Sequence, residues 1–113
     1  MHLFDMHCHL GLMANGEEVA QQAKSCELTL LDTGVLPSEF EAEQRRHASS
    51  DSVHVACGLH PWRVTDTLKD GEIEQLIECA RSYPLIGEVG LDFSNAHIQG
   101  ATRQVQAFER LVM

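Results

Sequence analysis

The feature that most constrains this chain is the regular alternation of short apolar runs with longer amphipathic stretches. Short apolar runs bounded by turn signals predict strands, whereas apolar residues spaced three and four apart predict helices. The strands are predicted at residues 3–8, 28–33, 53–58 and 85–89. The helices are predicted at about residues 16–25, 37–49, 70–82 and 101–112. Strands that alternate with helices pair in parallel through helical crossovers, so the predicted fold class is α/β.

The number of these βα units indicates the architecture. An intact eight-stranded βα barrel takes about 250 residues, and this chain of 113 residues carries four units. We therefore predict that residues 1–113 form one domain, the N-terminal half of a barrel. A half-barrel leaves two open sheet edges, and open edges favour self-association.

The composition excludes some functions and leaves others open. A net charge of -9 argues against a broad basic surface for nucleic acid. A metal ion would still allow the chain to bind phosphates, because the ion supplies positive charge locally. The sequence has no C-x-x-C pair, no signal-peptide pattern and no apolar run near the roughly 18 residues of a membrane span. We therefore expect a cytoplasmic location, reduced thiols and no membrane partner.

The first predicted strand offers two metal ligands. Side chains alternate between the two faces of a strand, so His7 and His9 lie on one face together with Asp5. We expect the other face, with Phe4, Met6 and Cys8, to pack under helices. Two imidazoles at positions i and i+2 can bind one ion, and they stand at the C-terminal strand end where barrel active sites gather. The alternative interpretation is a chance pair of surface histidines.

Three further residues follow or end later strands. Glu88 lies in an apolar strand, where a buried carboxylate is costly unless it is paired or bound to a metal; the alternative is a strand-end glutamate that reaches solvent. His60 follows the third strand in the sequence G-L-H-P-W, and Asp92 follows the fourth. A solvated loop histidine and a turn-capping aspartate are the alternatives for these two.

The remaining histidines carry weaker predictions. His2, His47 and His54 lack a comparable position and are interpreted as surface or strand residues, and His97 is left unassigned. The charged residues between positions 39 and 46 are interpreted as a solvated helix face.

Three sequence segments together resemble the TatD family of metal-dependent hydrolases and deoxyribonucleases. They are F-D-M-H-C-H-L at residues 4–10, G-L-H-P-W at residues 58–62 and I-G-E-V-G-L-D-F at residues 86–93. Gln104 and Phe108 add a Q-x-x-x-F pattern in the last predicted helix. An H-x-H pair alone is common to many barrels, but its combination with the other two segments is specific.

The resemblance implies a TIM-type barrel with two divalent metal ions, with Mg²⁺, Mn²⁺, Zn²⁺ and Ni²⁺ left undistinguished. By this resemblance, His7 and His9 would bind the first ion and Glu88 would bridge the two ions. His60 and Asp92 match family positions near the active site. The implied activity is hydrolysis of phosphodiester bonds in DNA, of the 3′–5′ exonuclease type, with DNA or a small phosphoester as the substrate. The remaining ligands are expected beyond residue 113, so the chain is expected to be inactive alone.

Two alternatives remain at this stage. The chain is either a hydrolase of this ancestry or a non-catalytic half-barrel that binds metal or associates with itself. A weaker alternative is a deaminase of the amidohydrolase type, which the G-E-V-G-L-D sequence disfavours.

Overall fold

A computed structural model describes residues 1–113 and contains four parallel strands in the order β1-β2-β3-β4. The strands are β1 (Leu3–Cys8), β2 (Leu28–Thr33), β3 (Val53–Leu59) and β4 (Ile86–Val89). The helices are α1 (Gly16–Ser25), α2 (Phe40–Arg46), α3 (Asp70–Ser82) and α4 (Ala101–Val112). The predicted α/β class and curled half-barrel of βα units are confirmed.

Most of the predicted boundaries agree with the structure, and the largest difference is in the second helix. The predicted helix over residues 37–49 is a 3-10 turn, Pro37–Glu39, followed by the shorter α2. Pro37 fits the tight start because its fixed φ suits the first helical position. The chain leaves the helix at His47, and three residues of the segment predicted as helix form a turn towards β3.

Two buried clusters join the helices to one face of the sheet. The smaller one packs α1 against β1 and β2 through Ala20, Ala23, Cys8 and Leu30. The larger one packs α2, α3 and α4 against β3 through the residues Phe40, Ile73, Leu76, Ala107, Cys57 and Leu59. Burial of this apolar surface is the main force that holds the layers together. Side chains of the opposite sheet face are therefore free to form a site.

The outer part of β1 differs from the prediction. Cys8 is buried as expected, but Phe4 is 64% exposed and Met6 is 63% exposed. The register of β1 against β2 shifts between Asp5 and Cys8, because Asp5 pairs with Leu30 and Cys8 pairs with Asp32. Asp5 therefore lies on the helix-facing side with Cys8, whereas Phe4, which pairs with Thr29, lies on the opposite face. The expectations that Phe4 and Met6 pack under helices and that Asp5 shares the face of the two histidines are therefore wrong.

Short 3-10 turns follow the strands and lead towards the next helix. Two of them, Leu10–Leu12 and Pro61–Arg63, begin within two residues of the ends of β1 and β3. These turns place His9 and His60 at their N-terminal cap positions, at the C-terminal end of the sheet. None of the helices combines the length and apolar character needed to cross a bilayer.

Candidate metal centre

Four of the five residues singled out by the sequence lie together on the sheet face that the helices leave free. The Glu88 Oε2 atom is 3.3 Å from His7 Nε2 and 3.2 Å from His9 Nε2. The two histidine Nε2 atoms are 3.1 Å apart. The other oxygen of Glu88, Oε1, is 3.1 Å from His60 Nε2. We call His7, His9, His60 and Glu88 the inner-face centre.

The strand β1 and its neighbour fix the orientation of His9. The His9 Nδ1 atom is 2.7 Å from the backbone oxygen of Thr33, at the end of β2. Because a carbonyl oxygen only accepts, Nδ1 carries the hydrogen, and the Nε2 atom of the neutral ring keeps its lone pair. A second hydrogen-bond partner of this kind fixes the tautomer of metal-binding histidines.

Glu88 reaches this face because the pairing of β3 with β4 is irregular. Cys57 pairs with Ile86 and Leu59 pairs with Val89, so three steps along β4 oppose two steps along β3. Both Ile86 and Val89 pack against the buried core, which leaves Glu88 on the opposite face. A bulge of this type re-aims a side chain next to a site.

Gly58 makes this arrangement possible, because the backbone of β4 approaches it closely. A Cβ atom at Gly58 would lie 2.9 Å from both the backbone nitrogen and the backbone oxygen of Glu88, and 2.2 Å from the oxygen of Gly34. Any side chain at residue 58 would therefore displace the strand that carries Glu88.

His60 is oriented towards Glu88 by its own loop. The backbone N–H of Trp62 donates to His60 Nδ1 at 3.1 Å. The hydrogen of the neutral ring therefore sits on Nε2, where it can be donated to Glu88 Oε1. This tautomer makes His60 a positioning residue for the carboxylate, because its Nε2 has no lone pair for a metal ion.

The inner-face centre fits a divalent cation. Glu88 Oε2 is buried and has no hydrogen-bond donor, although two imidazole nitrogens lie within 3.3 Å of it. The close pairs are His7–His9, His7–Glu88 and His9–Glu88. In a neutral His9 ring the hydrogen is on Nδ1, so only His7 Nε2 can donate a hydrogen to any of these pairs. Ligand atoms that bind one ion at about 2.0–2.2 Å lie about 3–3.5 Å from one another. His7, His9 and Glu88 meet this requirement, and imidazole with carboxylate suits a divalent transition metal.

Asp92 is the fifth predicted residue, and the structure places it outside this cluster. Its carboxylate accepts hydrogen bonds from the backbone N–H of Ser94 and from the indole N–H of Trp62. These two donors lower the pKa of Asp92 to about 2. The buried side chain of Gln104 also holds the Asp92 backbone, by accepting from its N–H and donating to its oxygen.

Trp62 forms an aromatic wall beside the centre. Its ring stacks on His97 with centroids 4.8 Å apart, and its edge meets His60 at 5.1 Å. The side chain is 58% exposed. His97, which the sequence left unassigned, therefore belongs to this wall, and Asp92 fixes the wall through the indole.

The sequence did not predict the partners of the ligands or a second cluster of polar side chains. Thr33 accepts from His9 through its backbone oxygen, which any residue type could supply, and its hydroxyl donates to the backbone oxygen of Cys8. His47, interpreted as a surface or strand residue, is instead only 6% exposed and lies near Asp32 and Glu43. The E-x-x-x-H spacing of Glu43 and His47 on a helix was the signal available for this cluster. His2 and His54 are exposed as expected.

Comparisons with known proteins identify the family and the fold. A profile of the family described as "TatD related DNase" matches residues 4–113. The fold is similar to the crystal structure of YjjV, a TatD homologue from Escherichia coli K12, with a TM-score of 0.68 and 21% identity. That match covers 98% of this chain and 48% of YjjV, so the chain spans about half the length of that structure. A search of curated proteins gave no significant match.

Proposed function

The chain belongs to the TatD-related DNase family, and from this membership we propose that its inner-face centre serves metal-dependent hydrolysis of phosphodiester bonds in DNA. The proposed reaction is of the 3′–5′ exonuclease type. The observation that carries the proposal is the position of the Glu88 carboxylate between His7 and His9 on one side and His60 on the other. A carboxylate between imidazoles at the C-terminal strand ends is suited to holding divalent ions where barrel enzymes act.

The chain's own residues have separate tasks in this proposal. Bound divalent ions would lower the pKa of water and offset the negative charge of the phosphate. His7, His9 and Glu88 would hold an ion, and we propose that Glu88 reaches a second ion as well. His60 keeps the carboxylate oriented through Oε1. The number and identity of the ions are part of the proposal, with Mg²⁺, Mn²⁺, Zn²⁺ and Ni²⁺ as candidates.

The wall of Trp62 and His97 supports a nucleic acid substrate. Base stacking on exposed aromatic rings is a common way to hold single-stranded DNA without reading its sequence. The Trp62 ring is exposed, stacked on His97 and fixed by Asp92, so it offers a rigid surface beside the centre. We propose that a terminal base of the DNA stacks there while its phosphate meets the ions. Asp92 then acts as a positioning residue for the wall.

The substrate is tested by measuring the degradation of single-stranded DNA labelled at either end. The assay uses a form of the protein that shows turnover, such as one in which two chains rebuild a site. Loss of nucleotides from the 3′ end, abolished by Glu88→Ala, is the expected result. A small phosphoester such as p-nitrophenyl phosphate is the comparison substrate. Hydrolysis of the small ester with intact DNA would contradict the DNA specificity while leaving the hydrolase proposal in place.

The activity of these 113 residues by themselves is a separate proposal. They supply three convergent metal ligands and correspond to about half of the matched structure. We propose that they have little nuclease activity with Mg²⁺ or Mn²⁺ and bind metal weakly through His7, His9 and Glu88. Isothermal titration of the parent chain and of His7→Ala tests the binding. Robust turnover that is lost on His7→Ala would contradict the proposed inactivity and indicate that two chains rebuild a site.

Self-association is the second candidate function, and one observation favours it. The edge strand β1 carries the exposed apolar side chains Leu3, Phe4 and Met6. Long apolar edges pair readily with other strands. We propose that a second copy covers this edge, and that Phe4→Lys shifts the chain towards the monomer in light scattering after gel filtration. An unchanged mass for a dimeric parent would contradict this edge as the interface.

The cellular location is likewise proposed from the sequence. We propose a cytoplasmic location, because the four cysteines are free thiols, as is usual in a reducing compartment. Fractionation of cells that express a tagged chain tests it.

A further inference from the structure

A second group of metal-ligating side chains lies on the opposite side of the sheet from the inner-face centre. Asp32, Glu43 and His47 bring one ligand atom each to within 4.8 Å of one another. Asp32 pairs in register with Cys8, and Cys8 packs in the cluster beneath α1. Asp32 therefore faces the helices, whereas His9 and Glu88 face the other way. We call Asp32, Glu43 and His47 the buried triad.

Two elements build the buried triad. Asp32 is near the end of β2, on the same strand face as Leu30. Glu43 and His47 are four residues apart, on α2 and at its C-terminal cap. Side chains at positions i and i+4 lie on one helix face, which is the spacing that helical metal motifs use. The helix packs so that this face meets Asp32.

Each side chain of the triad has one polar atom that is buried without a hydrogen-bond partner. Asp32 Oδ2, Glu43 Oε2 and His47 Nε2 all have this property. The side chains of Asp32 and His47 are only 4% and 5% exposed, and that of Glu43 is 16% exposed. A buried carboxylate oxygen without a partner is strongly unfavourable. Three such atoms that point at one another therefore indicate a missing cationic partner.

The other atoms of the two carboxylates are already satisfied. The backbone N–H of Leu10 donates to Asp32 Oδ1 at 2.8 Å. Arg46 donates to Glu43 Oε1 at 2.8 Å. These bonds hold both carboxylates in place and turn their second oxygens towards His47. The geometry is therefore fixed by the surrounding chain, as in a preformed ligand site.

A protonated His47 that forms ion pairs with both acids is the competing explanation. His47 Nε2 is 3.7 Å from Glu43 Oε2 and 4.0 Å from Asp32 Oδ2. Charge-assisted hydrogen bonds of this kind close to about 2.7–2.9 Å. Ligand atoms of one four-coordinate ion lie about 3–3.5 Å apart. The observed separations are too long for hydrogen bonds, and side-chain shifts of about 0.2–0.5 Å would bring the three atoms to metal-binding distances.

We propose that Asp32, Glu43 and His47 bind a divalent transition-metal ion of the Zn²⁺ class. One imidazole nitrogen and two carboxylate oxygens form a mixed ligand set that suits this class of ion. The ion ties α2 to β2, so its role is structural. An open cleft of about 400 Å³, lined in part by Asp32 and Glu43, lies next to the triad, whose three ligand atoms are themselves buried.

The test uses the 113-residue chain with the inner-face centre removed. The variant His7→Ala/His9→Ala/Glu88→Gln is stripped of metal and titrated with Zn²⁺ by calorimetry. We expect one Zn²⁺ per chain and a melting temperature that rises with Zn²⁺, because an ion that binds only the folded state stabilises it. No Zn²⁺ binding to this folded variant would overturn the proposal.

A matched pair of changes on α2 then assigns the site. Adding Glu43→Gln to the triple variant is expected to lower Zn²⁺ affinity at least about 100-fold. Loss of a residue that only hydrogen-bonds to a ligand already lowers metal affinity about 10–100-fold, and Glu43 is a proposed ligand itself. Adding Glu41→Gln, whose side chain is 72% exposed on the same helix, is expected to change nothing. Equal effects of the two changes, or none, would overturn the assignment.

One further measurement needs no change within the triad. In the triple variant, the ¹⁵N resonance of His47 Nε2 is followed as Zn²⁺ is added. Binding through His47 is expected to shift this resonance at one equivalent of metal, while that of the exposed His54 stays in place. A stationary His47 resonance would contradict the site even if Glu43→Gln failed to fold.

Discussion

The inner-face centre and the buried triad are both groups of histidine and carboxylate, but they differ in geometry and in exposure. In the inner-face centre, the His7 ring and the Glu88 carboxylate are 54% and 26% exposed, and the ligand atoms are 3.1–3.3 Å apart. In the buried triad, two side chains are about 5% exposed, and the two separations to His47 Nε2 are 3.7 and 4.0 Å. The first can admit a substrate, and the second cannot.

This difference teaches how exposure separates two uses of the same ligands. A catalytic ion needs an open coordination position, whereas a structural ion is enclosed by the chain. The inner-face centre lies at the open strand ends beside the Trp62 wall. The buried triad lies between a strand and a helix, so an ion there acts on stability. Each change below acts on only one of the two, or on the residues that support one of them.

The largest effect is expected from Glu88→Gln. This change removes the charge that the two imidazoles share but keeps the shape of the side chain. We expect the affinity of the inner-face centre for Mn²⁺ or Zn²⁺ to fall at least about 100-fold. Removing a residue that binds the ion lowers affinity more than removing one that only hydrogen-bonds to a ligand, which costs about 10–100-fold. Calorimetric titration measures this change.

The matched control is Asp32→Asn, which leaves the inner-face centre intact. In this variant, Mn²⁺ or Zn²⁺ binding at His7 and His9 is expected to match that of the parent. If Asp32→Asn weakened this binding as much as Glu88→Gln, the two clusters would be one coupled site.

The second effect comes from Gly58→Ala, which replaces no metal ligand. A Cβ atom there would overlap the backbone of Gly34 and press on that of Glu88. We expect a loss of about 3 kcal/mol in the free energy of unfolding, at the upper end for overpacking. We also expect weaker metal binding at the inner-face centre. Urea unfolding followed by circular dichroism measures the stability.

Gly71→Ala is the control for this change. Gly71 is in α3 and has open space around its Cα. Alanine favours a helix over glycine by roughly 0.5–1 kcal/mol, so this variant should be slightly more stable than the parent. A similar loss in both variants would show that close approach at residue 58 is not the cause.

The sequence was sufficient for the fold because its signals are local. Each βα unit has its own apolar period and turn residues, and seven of the eight predicted elements agree with the structure to within one residue. The exception is α2, which begins after a 3-10 turn and ends before the buried His47. Burial of that residue is decided by β2, about 15 positions away in the sequence, which helix periodicity does not show.

The candidate sites were predictable to different degrees for the same reason. Parallel strands bring their C-terminal ends to one edge, so His7, His9, His60 and Glu88 could be expected to meet. The buried triad joins the end of β2 to α2 on the helix-facing side of the sheet, where the strand pattern predicts apolar packing. Asp92 also follows a strand, but its carboxylate is held by Trp62 and Ser94 instead of turning to the centre.

The third effect is expected from Thr33→Val, which tests how β2 supports the inner-face centre. Thr33→Val removes a buried hydroxyl that donates to the Cys8 oxygen at 3.0 Å and lies 3.2 Å from His9 Nδ1. We expect a loss of about 1 kcal/mol in unfolding free energy, the usual value for one hydrogen bond. The control, Thr29→Val on the same strand, should lose less, because its hydroxyl contacts only the exposed His2. Urea unfolding compares the two, and an equal loss would contradict a specific role of Thr33.

The smallest effect is the pH dependence that Asp92 contributes. Hydrogen bonds from Ser94 and Trp62 lower its pKa from 3.8 to about 2 in the folded chain. A group with a lowered folded pKa stabilises the protein above its unfolded pKa, and this stabilisation is lost as the pH falls through the folded value. The difference in unfolding midpoint between the parent and Asp92→Asn should therefore be constant above about pH 5 and shrink from pH 4 towards 2. Trp62 fluorescence should change over the same range, because its indole donates to this carboxylate. A midpoint difference that is independent of pH would mean that neutral hydrogen bonds hold the aromatic wall, and that charge contributes nothing to its position beside the inner-face centre.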